Sequence, residues 1–145
     1  MVAWNDVVRD LNDMSMEISK ELGVPWGFRS TGVDSYSVEW FIQGGRKQAV
    51  TISRVTFGGN DYMVIQSPFL PRHLQNSEEV LSLLSGVDIP FGIVVDGNNY
   101  SFSNSLHLND VASTKELGTL IFNGIVGLTH AADFTENFYT GRDNL

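Results

Sequence analysis

The side chains that most often do chemistry in proteins are sparse in this chain, and their spacing does not match a catalytic or metal-binding pattern. The three histidines, His73, His107 and His130, lie at least 23 positions apart, whereas helical metal motifs place two ligands three or four residues apart. The absence of cysteine excludes a thiolate nucleophile and a cysteine-based zinc site. No serine lies in a G-x-S-x-G motif. We therefore expect no catalytic residues, no metal and no cofactor.

Two pairs of glycines could be read as phosphate-binding loops. Gly44-Gly45 and Gly58-Gly59 lack the lysine of the P-loop and the spacing of the dinucleotide fingerprint. Both pairs separate stretches with strand-like composition, where a tight turn needs positive φ angles. The sequence therefore predicts two hairpin turns and no nucleotide site.

Composition limits the possible partners. The 145 residues suit one domain, and 42% hydrophobic residues suit an ordinary core. The net charge of −8 disfavours nucleic acid and anionic lipid surfaces. Acidic residues near the N-terminus exclude a basic signal-peptide start, and no apolar stretch is long enough to span a bilayer. We expect a cytoplasmic protein that binds neither nucleic acid nor membrane.

The hydrophobic periods predict a single α+β domain over residues 1–145, with a frayed tail at about 140–145. The expected order is α-β-β-β-α-β-β-α, possibly with one extra strand, and with a mostly antiparallel sheet packed against the helices. The predicted helices cover residues 2–22, a short stretch from Asn76, and 113–139. The predicted strands cover residues 26–31, 36–43, 48–57, 91–96 and 100–108, and residues 62–66 add a strand or extend the meander. The strand at 91–96 is apolar nearly throughout, which predicts a central position.

Aromatic residues give the clearest indication of a binding surface. In the strand at 36–43, Trp40 and Phe41 point to opposite faces, so either both faces are buried or one ring belongs to an exposed apolar patch. Phe69 and Leu70 form a second candidate patch, since the prolines of segment 67–71 argue against regular structure there.

Acidic residues recur along one arc of the first helix: Asp6, Asp10, Asp13 and Glu17. The arc is either the solvated face of an amphipathic helix or a strip that attracts a basic partner segment. In the last helix, Gly124 and Gly127 interrupt an apolar series, and each costs about 1 kcal/mol relative to alanine. We expect the sheet, or a second copy of the chain, to approach closely there, and the sheet is favoured.

The element order resembles the type III secretion chaperone-like fold, and within it the YbjN-type family of bacterial sensory-transduction regulators. Three segments carry the resemblance: VEWFIQGG, VTFGGNDYMVIQSPF and FGIVVDGNNYSFSNSL. The resemblance covers nearly the whole chain and is architectural. It implies a small, acidic, dimeric binding protein without catalytic residues that holds an extended partner segment on its surface. It implies no site residues, since neither family has a fixed catalytic set.

Three functions remain open on this sequence. The first is a non-enzymatic protein-binding module of chaperone or regulator type, a homodimer whose aromatic residues bury a partner's apolar side chains. The second is a small-molecule-binding protein or an enzyme with a site near Arg54, Arg72 and His73, which requires a deep polar pocket. The third is a structural subunit of a larger complex.

Overall fold

Two long helices and six strands form the part of the chain that the computed structural model describes, residues 2–42, 44–71, 78, 82 and 91–140. In chain order they are α1 (Trp4–Leu22), β1 (Arg29–Gly32), β2 (Ser35–Phe41), β3 (Lys47–Phe57), β4 (Asn60–Pro71), β5 (Gly92–Asp96), β6 (Asn99–His107) and α2 (Thr114–Thr140). The α+β class is confirmed, and the extra strand is present. The short helix predicted from Asn76 lies outside the described residues, except for residues 78 and 82, and so does the tail beyond Thr140.

The six strands form one sheet in the order β1-β2-β3-β4-β6-β5, and every neighbouring pair is antiparallel. Hairpin turns join β2 to β3 and β3 to β4. The glycine pairs in these turns have φ angles of 87° and 80° (Gly44, Gly45) and 59° and 78° (Gly58, Gly59). Residues with a Cβ rarely adopt such angles, so the prediction of two glycine-dependent turns is confirmed.

One face of the sheet is apolar and lies under the helices. In β2, Val38 is buried and Trp40 packs against the core, whereas Glu39 and Phe41 on the opposite face are exposed. The long helix α2 lies across β3, β4 and β6, and α1 packs beside α2. The helices contribute the buried side chains Trp4, Val7, Leu11, Leu117, Ile121, Ile125 and Leu128.

Local hydrogen bonds fix where the helices begin and end. Gly23 ends α1 with a φ angle of 71°, and its N–H donates to the Ser19 carbonyl at 2.9 Å. At the start of α2, the Ser113 hydroxyl accepts the N–H of Glu116 at 3.2 Å. The Glu116 carboxylate in turn accepts the N–H of Ala112 at 2.9 Å. These contacts satisfy amide groups that have no partner inside a helix.

The strand β4 continues through both of its prolines, so the expectation of irregular structure at residues 67–71 is wrong. Main-chain pairing of β4 with β3 ends at Gln66, while its pairing with β6 continues. Pro68 therefore lies where the β3 ladder has ended and where the register with β6 shifts, which are positions that tolerate proline. Side chains replace the missing ladder bonds. The Ser67 hydroxyl donates to the Ala49 carbonyl at 2.6 Å, and the Gln48 amide donates to the Pro68 carbonyl.

The strand β5 lies at the edge of the described sheet, beside β6 only, so the predicted central position is wrong. Ile93 stands opposite Phe102 of β6 and packs against the core, whereas Val95 is 53% exposed. An apolar run therefore indicates neither that both faces of a strand are fully covered nor that a second strand pairs along its outer edge.

Glycines in α2 allow the helix to approach the sheet closely. A Cβ at Gly124 would lie 2.9 Å from Cδ1 of Ile65 in β4, and one at Gly127 would lie 3.2 Å from Cζ of Phe91, next to β5. The expectation that the sheet approaches these glycines is confirmed, although the atoms in contact are side-chain rather than backbone atoms. Gly118, which the sequence did not single out, lies in the same way against Asp10 of α1.

Replacement of Gly124 tests this close approach. We expect Gly124→Ala to lower the free energy of unfolding by about 1 kcal/mol, because overpacking costs about 1–3 kcal/mol and exceeds the gain in helix propensity. In an Ile65→Val background, which lacks Cδ1, the same change should be neutral or stabilising. Urea denaturation of the single and double variants measures this coupling.

Gly127→Ala is the matched control, since its Cβ meets Phe91 and not Ile65. Its effect should add to that of Ile65→Val within about 0.5 kcal/mol. Equal destabilisation by Gly124→Ala in both backgrounds would contradict the close contact with Ile65.

Candidate functional site

The outer edge of β2 is only partly covered by another strand. The pairing with β1 joins Ser35, Tyr36 and Ser37 to the four-residue strand β1 and ends at the pair Arg29↔Ser37. Beyond that pair, no strand in the described part of the chain lies along residues 38–41 on this side. The second half of β2 therefore has a free edge.

The direction of the main-chain groups along β2 follows from two hydrogen bonds. The N–H of Ile42 donates to the Arg46 carbonyl at 2.8 Å, toward β3. The carbonyl of Glu39 accepts the indole N–H of Trp26 at 3.0 Å, on the outer side. Since N–H and C=O groups alternate in direction along a strand, Glu39 and Phe41 present their main-chain groups at the free edge.

The segment between α1 and β1, residues 23–28, brings Trp26 to this edge, and we call it the strap. Two serines of α1 hold it. The Ser19 hydroxyl donates to the Trp26 carbonyl and accepts the Trp26 N–H at 2.9 Å, and the Ser15 hydroxyl accepts the Phe28 N–H at 3.1 Å. A Cβ at Gly27 would lie 3.0 Å from Cβ of Ser15. The strap thus lies close against α1, and a larger residue at position 27 would press on Ser15.

Aromatic rings line the site in an edge-to-face series. The ring centroids of Trp26 and Phe28 are 5.7 Å apart, those of Trp26 and Trp40 5.8 Å, and those of Trp40 and Phe122 5.9 Å. Each such pair adds about 0.5–1.5 kcal/mol beyond the burial of area. The series connects the strap, β2 and α2 into one partly exposed apolar surface.

A cleft of about 560 Å³ lies between the strap and β2. Its wall on the β2 side includes Phe41, which is 44% exposed, and Lys47, whose ammonium group lies 5.4 Å from the Phe41 ring centroid. The same ammonium group lies 3.6 Å from the Glu39 carboxylate. The remaining lining residues are Val24, Pro25, Trp26, Gly27, Phe28, Arg29 and Val38. The cleft is therefore mainly apolar, with charged groups at its rim.

An ion pair anchors the hairpin that carries Phe41 and Lys47. The Arg46 guanidinium binds the Asp133 carboxylate of α2 in a two-pronged contact, with Nε–Oδ1 at 3.0 Å and a terminal nitrogen to Oδ2 at 2.8 Å. The Asp133 side chain is 7% exposed and that of Arg46 is 42% exposed. Planar pairs of this kind are stronger than neutral hydrogen bonds and fix geometry. The hairpin is thus held in a defined position against α2.

The four apolar residues that the sequence predicted to bind a partner differ in their exposure. Trp40 and Phe41 lie on opposite faces of β2, Trp40 half-buried in the aromatic series and Phe41 exposed beside the cleft. Phe69 and Leu70 are buried in the core at 0% and 1% exposure, so the prediction of an exposed patch at these two residues is wrong. The Phe69 ring stacks on Phe102 at 4.2 Å, because β4 extends beyond the predicted strand end.

The predicted acidic arc of α1 is divided between the interior and the surface. Asp6 accepts the N–H of Ala3 at 2.9 Å and pairs with Arg9 at 3.2 Å, so it caps the helix. Asp13 and Glu17 are exposed. The structure therefore leaves these two carboxylates facing solvent.

Asp10 faces α2 rather than solvent. Its Oδ2 is buried and has no hydrogen-bond partner in the described structure, and its Oδ1 lies 3.1 Å from the position of a Cβ at Gly118. Burial raises the pKa of the Asp10 carboxyl, and the charges of Asp13 and Glu17 raise that pKa further. This carboxylate therefore belongs to the interface between the helices.

In the described structure, Arg54 of the alternative site lies at the surface. The guanidinium of Arg54 lies 2.9 Å from Asp61 and 3.3 Å from Asp34 in exposed ion pairs. The hydrogen bond to Asp61 raises the pKa of Arg54, and the same bond lowers the pKa of Asp61. Arg72 and His73 lie outside the described residues.

The described histidines do not converge on a metal site. His107 stacks on Tyr62 of the neighbouring strand at 4.9 Å, and its Nδ1 lies 3.3 Å from Asp110. His107 thus faces the neighbouring strand β4. Within the described ranges, no three His, Cys, Asp or Glu side chains are grouped so as to hold a metal ion. Neither described helix is long and apolar enough to cross a bilayer.

Trp26 and Lys47 are parts of this site that the sequence did not indicate. Trp26 was predicted as the first residue of a strand, but β1 begins at Arg29. Gly23 and Pro25 follow the first helix, and they mark a segment that turns back along it. No period in the sequence shows that this turn places an indole against Glu39.

Comparisons with known proteins reveal relatives in fold only. No family model and no curated protein matches this chain. A chain of the solved ExsC–ExsE complex matches it with a TM-score of 0.60, over 96% of this chain and 97% of its own length, at 11% identity. A chain of the solved HopA1–SchA chaperone–effector complex matches with a TM-score of 0.51, over 94% and 99% of the two chains, at 13% identity.

These matches confirm the predicted fold at its coarser level. The chain has a chaperone-like architecture over nearly its whole length. The assignment to YbjN-type regulators stays a prediction. At such low identity a shared fold does not carry residues or activities from one protein to another.

Replacement of Asp10 by Asn tests the buried carboxylate. A pKa that is higher in the folded state means that the folded state binds the proton more tightly. The stability from this group is therefore present below the unfolded pKa, about 3.9, and is lost as pH rises through the folded pKa. We expect Asp10→Asn to raise the free energy of unfolding at about pH 7 by about 0.5 kcal/mol, the size of one like-charge helix contact.

Urea denaturation at about pH 7 and about pH 3.5 measures the difference, which should shrink at the lower pH. Glu21→Gln is the control, since it removes an exposed acid that also makes one like-charge contact, with Glu17; the excess of Asp10→Asn over this control at about pH 7 measures the effect of burial. A less stable Asp10→Asn variant at neutral pH would show that the charged form of Asp10 stabilises the fold.

Proposed function

We propose that this chain is a non-enzymatic protein-binding module of chaperone or regulator type, which holds an extended segment of another protein along β2. The observation that carries the proposal is the free main-chain edge at residues 38–41 beside an aromatic cleft. A sheet edge supplies main-chain donors and acceptors to any extended peptide, and adjacent pockets select its side chains.

The partner segment pairs with the main-chain groups of Glu39 and Phe41. Alternate side chains of a strand point to opposite faces, so every second partner residue turns toward the cleft. Apolar side chains there bury area against Phe41 of the cleft wall, and side chains on the opposite face of the partner segment lie beside Trp40. Full burial of one large apolar side chain contributes about 1.5–3 kcal/mol. Two such contacts and the main-chain bonds suffice for a weak to moderate complex.

Charges around the site steer the partner. Asp13 and Glu17 remain exposed on α1 and attract basic residues that flank the bound segment. The net charge of −8 acts in the same direction over longer distances and disfavours nucleic acid. Screening by salt should therefore slow association more than it speeds dissociation.

The solved structures of similar fold support this proposal by analogy. Both come from complexes with a second protein, and one of these is a chaperone–effector complex. The proposal includes the cytoplasm as the place of action, because the chain has no cysteine. It also includes membership of the YbjN-type regulators, because of the three sequence segments given above.

The proposal also includes a homodimer. Phe134 of α2 is 73% exposed. Contact between two copies would remove this ring from water.

A random library of 12-residue peptides displayed on phage tests the binding edge. We expect selection on the immobilised protein to enrich sequences with alternating apolar residues. Glu39→Pro removes the outward N–H and leaves the β3 ladder intact, so it should weaken binding of the selected peptides by about tenfold or more. The matched control Glu39→Ala keeps the N–H and should bind within about threefold of wild type. Fluorescence anisotropy of labelled peptides gives both affinities.

Two results would contradict the proposed edge. The first is selected peptides that bind Glu39→Pro as tightly as Glu39→Ala. The second is selection that enriches no sequence pattern. Phe41→Ala separates the two contributions, since it removes an apolar contact and keeps the main-chain groups, and it should cost about tenfold in affinity.

Phe134→Asp tests the dimer. Sedimentation velocity should give about twice the 16.1 kDa chain mass for wild type and the mass of one chain for the variant, because a buried carboxylate at a contact is costly. Phe57→Asp is the control, since Phe57 is 75% exposed and lies in β3 rather than α2. A wild-type protein that sediments as a single chain would rule out the homodimer.

A further inference from the structure

We propose that Trp26 is a displaceable latch that closes the binding edge of β2 when no partner is bound. This inference rests on the proposed function, because it concerns the same edge. Its central observation is the indole N–H of Trp26, which donates to the Glu39 carbonyl at 3.0 Å. The indole occupies the position that a main-chain N–H of an added strand would take.

An added strand requires the acceptor that Trp26 uses. Main-chain groups at the free edge alternate, so within residues 38–41 the outward carbonyls are those of Glu39 and Phe41. A strand that pairs with Glu39 must take its carbonyl from the indole. Binding and latch closure therefore compete for one hydrogen bond.

Closure has a physical benefit for the free protein. A free strand edge pairs readily with other chains and leads to aggregation. The indole N–H occupies one main-chain acceptor of this edge, and the strap does not present a new strand edge with which another chain could pair. The ring also keeps its contacts with Phe28 and Trp40 when closed, so the edge is covered by apolar area as well.

The strap can open without breaking the sheet. It forms no strand, Val24 in it is 56% exposed, and its described attachments to α1 are the hydroxyls of Ser15 and Ser19. Its first residue, Gly23, has a φ angle of 71°, a conformation that glycine adopts at little cost. Rotation of residues 23–28 away from β2 thus breaks the Trp26–Glu39 hydrogen bond and the Trp26–Trp40 ring contact, and leaves the pairing of β2 with β1 and β3 in place.

The first arm of the test uses the free protein and needs no partner. Trp26→Phe keeps a ring and removes the N–H, so it should loosen the strap. The main-chain N–H groups of residues 26 and 28 donate to Ser19 and Ser15 when the strap is closed. Their hydrogen exchange, followed by NMR, therefore measures strap opening. We expect their exchange to accelerate about three- to tenfold, the size of one lost hydrogen bond. Trp4→Phe, a buried ring distant in sequence from the strap, is the control and should leave these amides unchanged.

The second arm uses peptides selected from the random 12-residue library. In the wild-type protein, the indole N–H resonance of Trp26 should exchange with solvent faster when the peptide is bound. Peptide affinity should rise about three- to tenfold in Trp26→Phe, because no latch bond must be broken. Ser19→Ala, which frees the strap from α1 and keeps the indole, should raise affinity in the same direction.

The outcomes separate the latch from the proposed function. Unchanged exchange of the strap amides in Trp26→Phe overturns the latch whatever the peptides do. Weaker peptide binding by Trp26→Phe also overturns it, since the indole would then be a partner contact rather than a competitor. Peptides that bind equally well to Glu39→Pro and Glu39→Ala overturn the proposed edge, and faster strap exchange in the same protein would still show that the indole holds the strap.

Discussion

Burial of one face of the sheet beneath α2 is the interaction on which the rest of the structure depends. Leu117, Ile121, Ile125 and Leu128 are fully buried in this layer, and each contributes about 1.5–3 kcal/mol. Such burial requires the helix to lie close to the strands, and glycine at position 124 provides the space over Ile65. That contact fixes how closely α2 approaches β4.

The free edge of β2 follows from this layer and from the lengths of two strands. The strand β1 has four residues and β2 has seven, so pairing stops before Val38. Since α2 fixes β3 and the Arg46–Asp133 pair fixes the hairpin, the uncovered half of β2 cannot turn inward to hide its main-chain groups. Cover must come from another segment, and the strap provides it through Trp26. Binding surface and protection of that surface are thus two states of one edge.

The sequence predicted the elements whose burial follows a regular period. Alternation in β2 placed Trp40 and Phe41 on opposite faces, and helical spacing placed both long helices. Each prediction depends only on side chains that face the core or the solvent at a regular interval. The prolines of β4 led to a wrong prediction of where this strand ends. Pro68 is tolerated because the pairing of β4 with β3 ends at Gln66, and the sequence does not show where that pairing ends. The apolar run of β5 gave a wrong position in the sheet for a similar reason.

Parts of the candidate site were beyond prediction because they depend on single contacts between distant residues. The indole of Trp26 meets a carbonyl 13 positions away, and Asp10 meets a glycine of another helix. No period encodes either contact. The same distinction explains how chains of 11% and 13% identity share this fold. Many sequences satisfy the burial pattern that fixes the sheet and helices, whereas the Trp26–Glu39 contact requires one donor and one edge. The function proposed for this chain depends on such single contacts at the edge of the sheet, and it has to be tested there residue by residue.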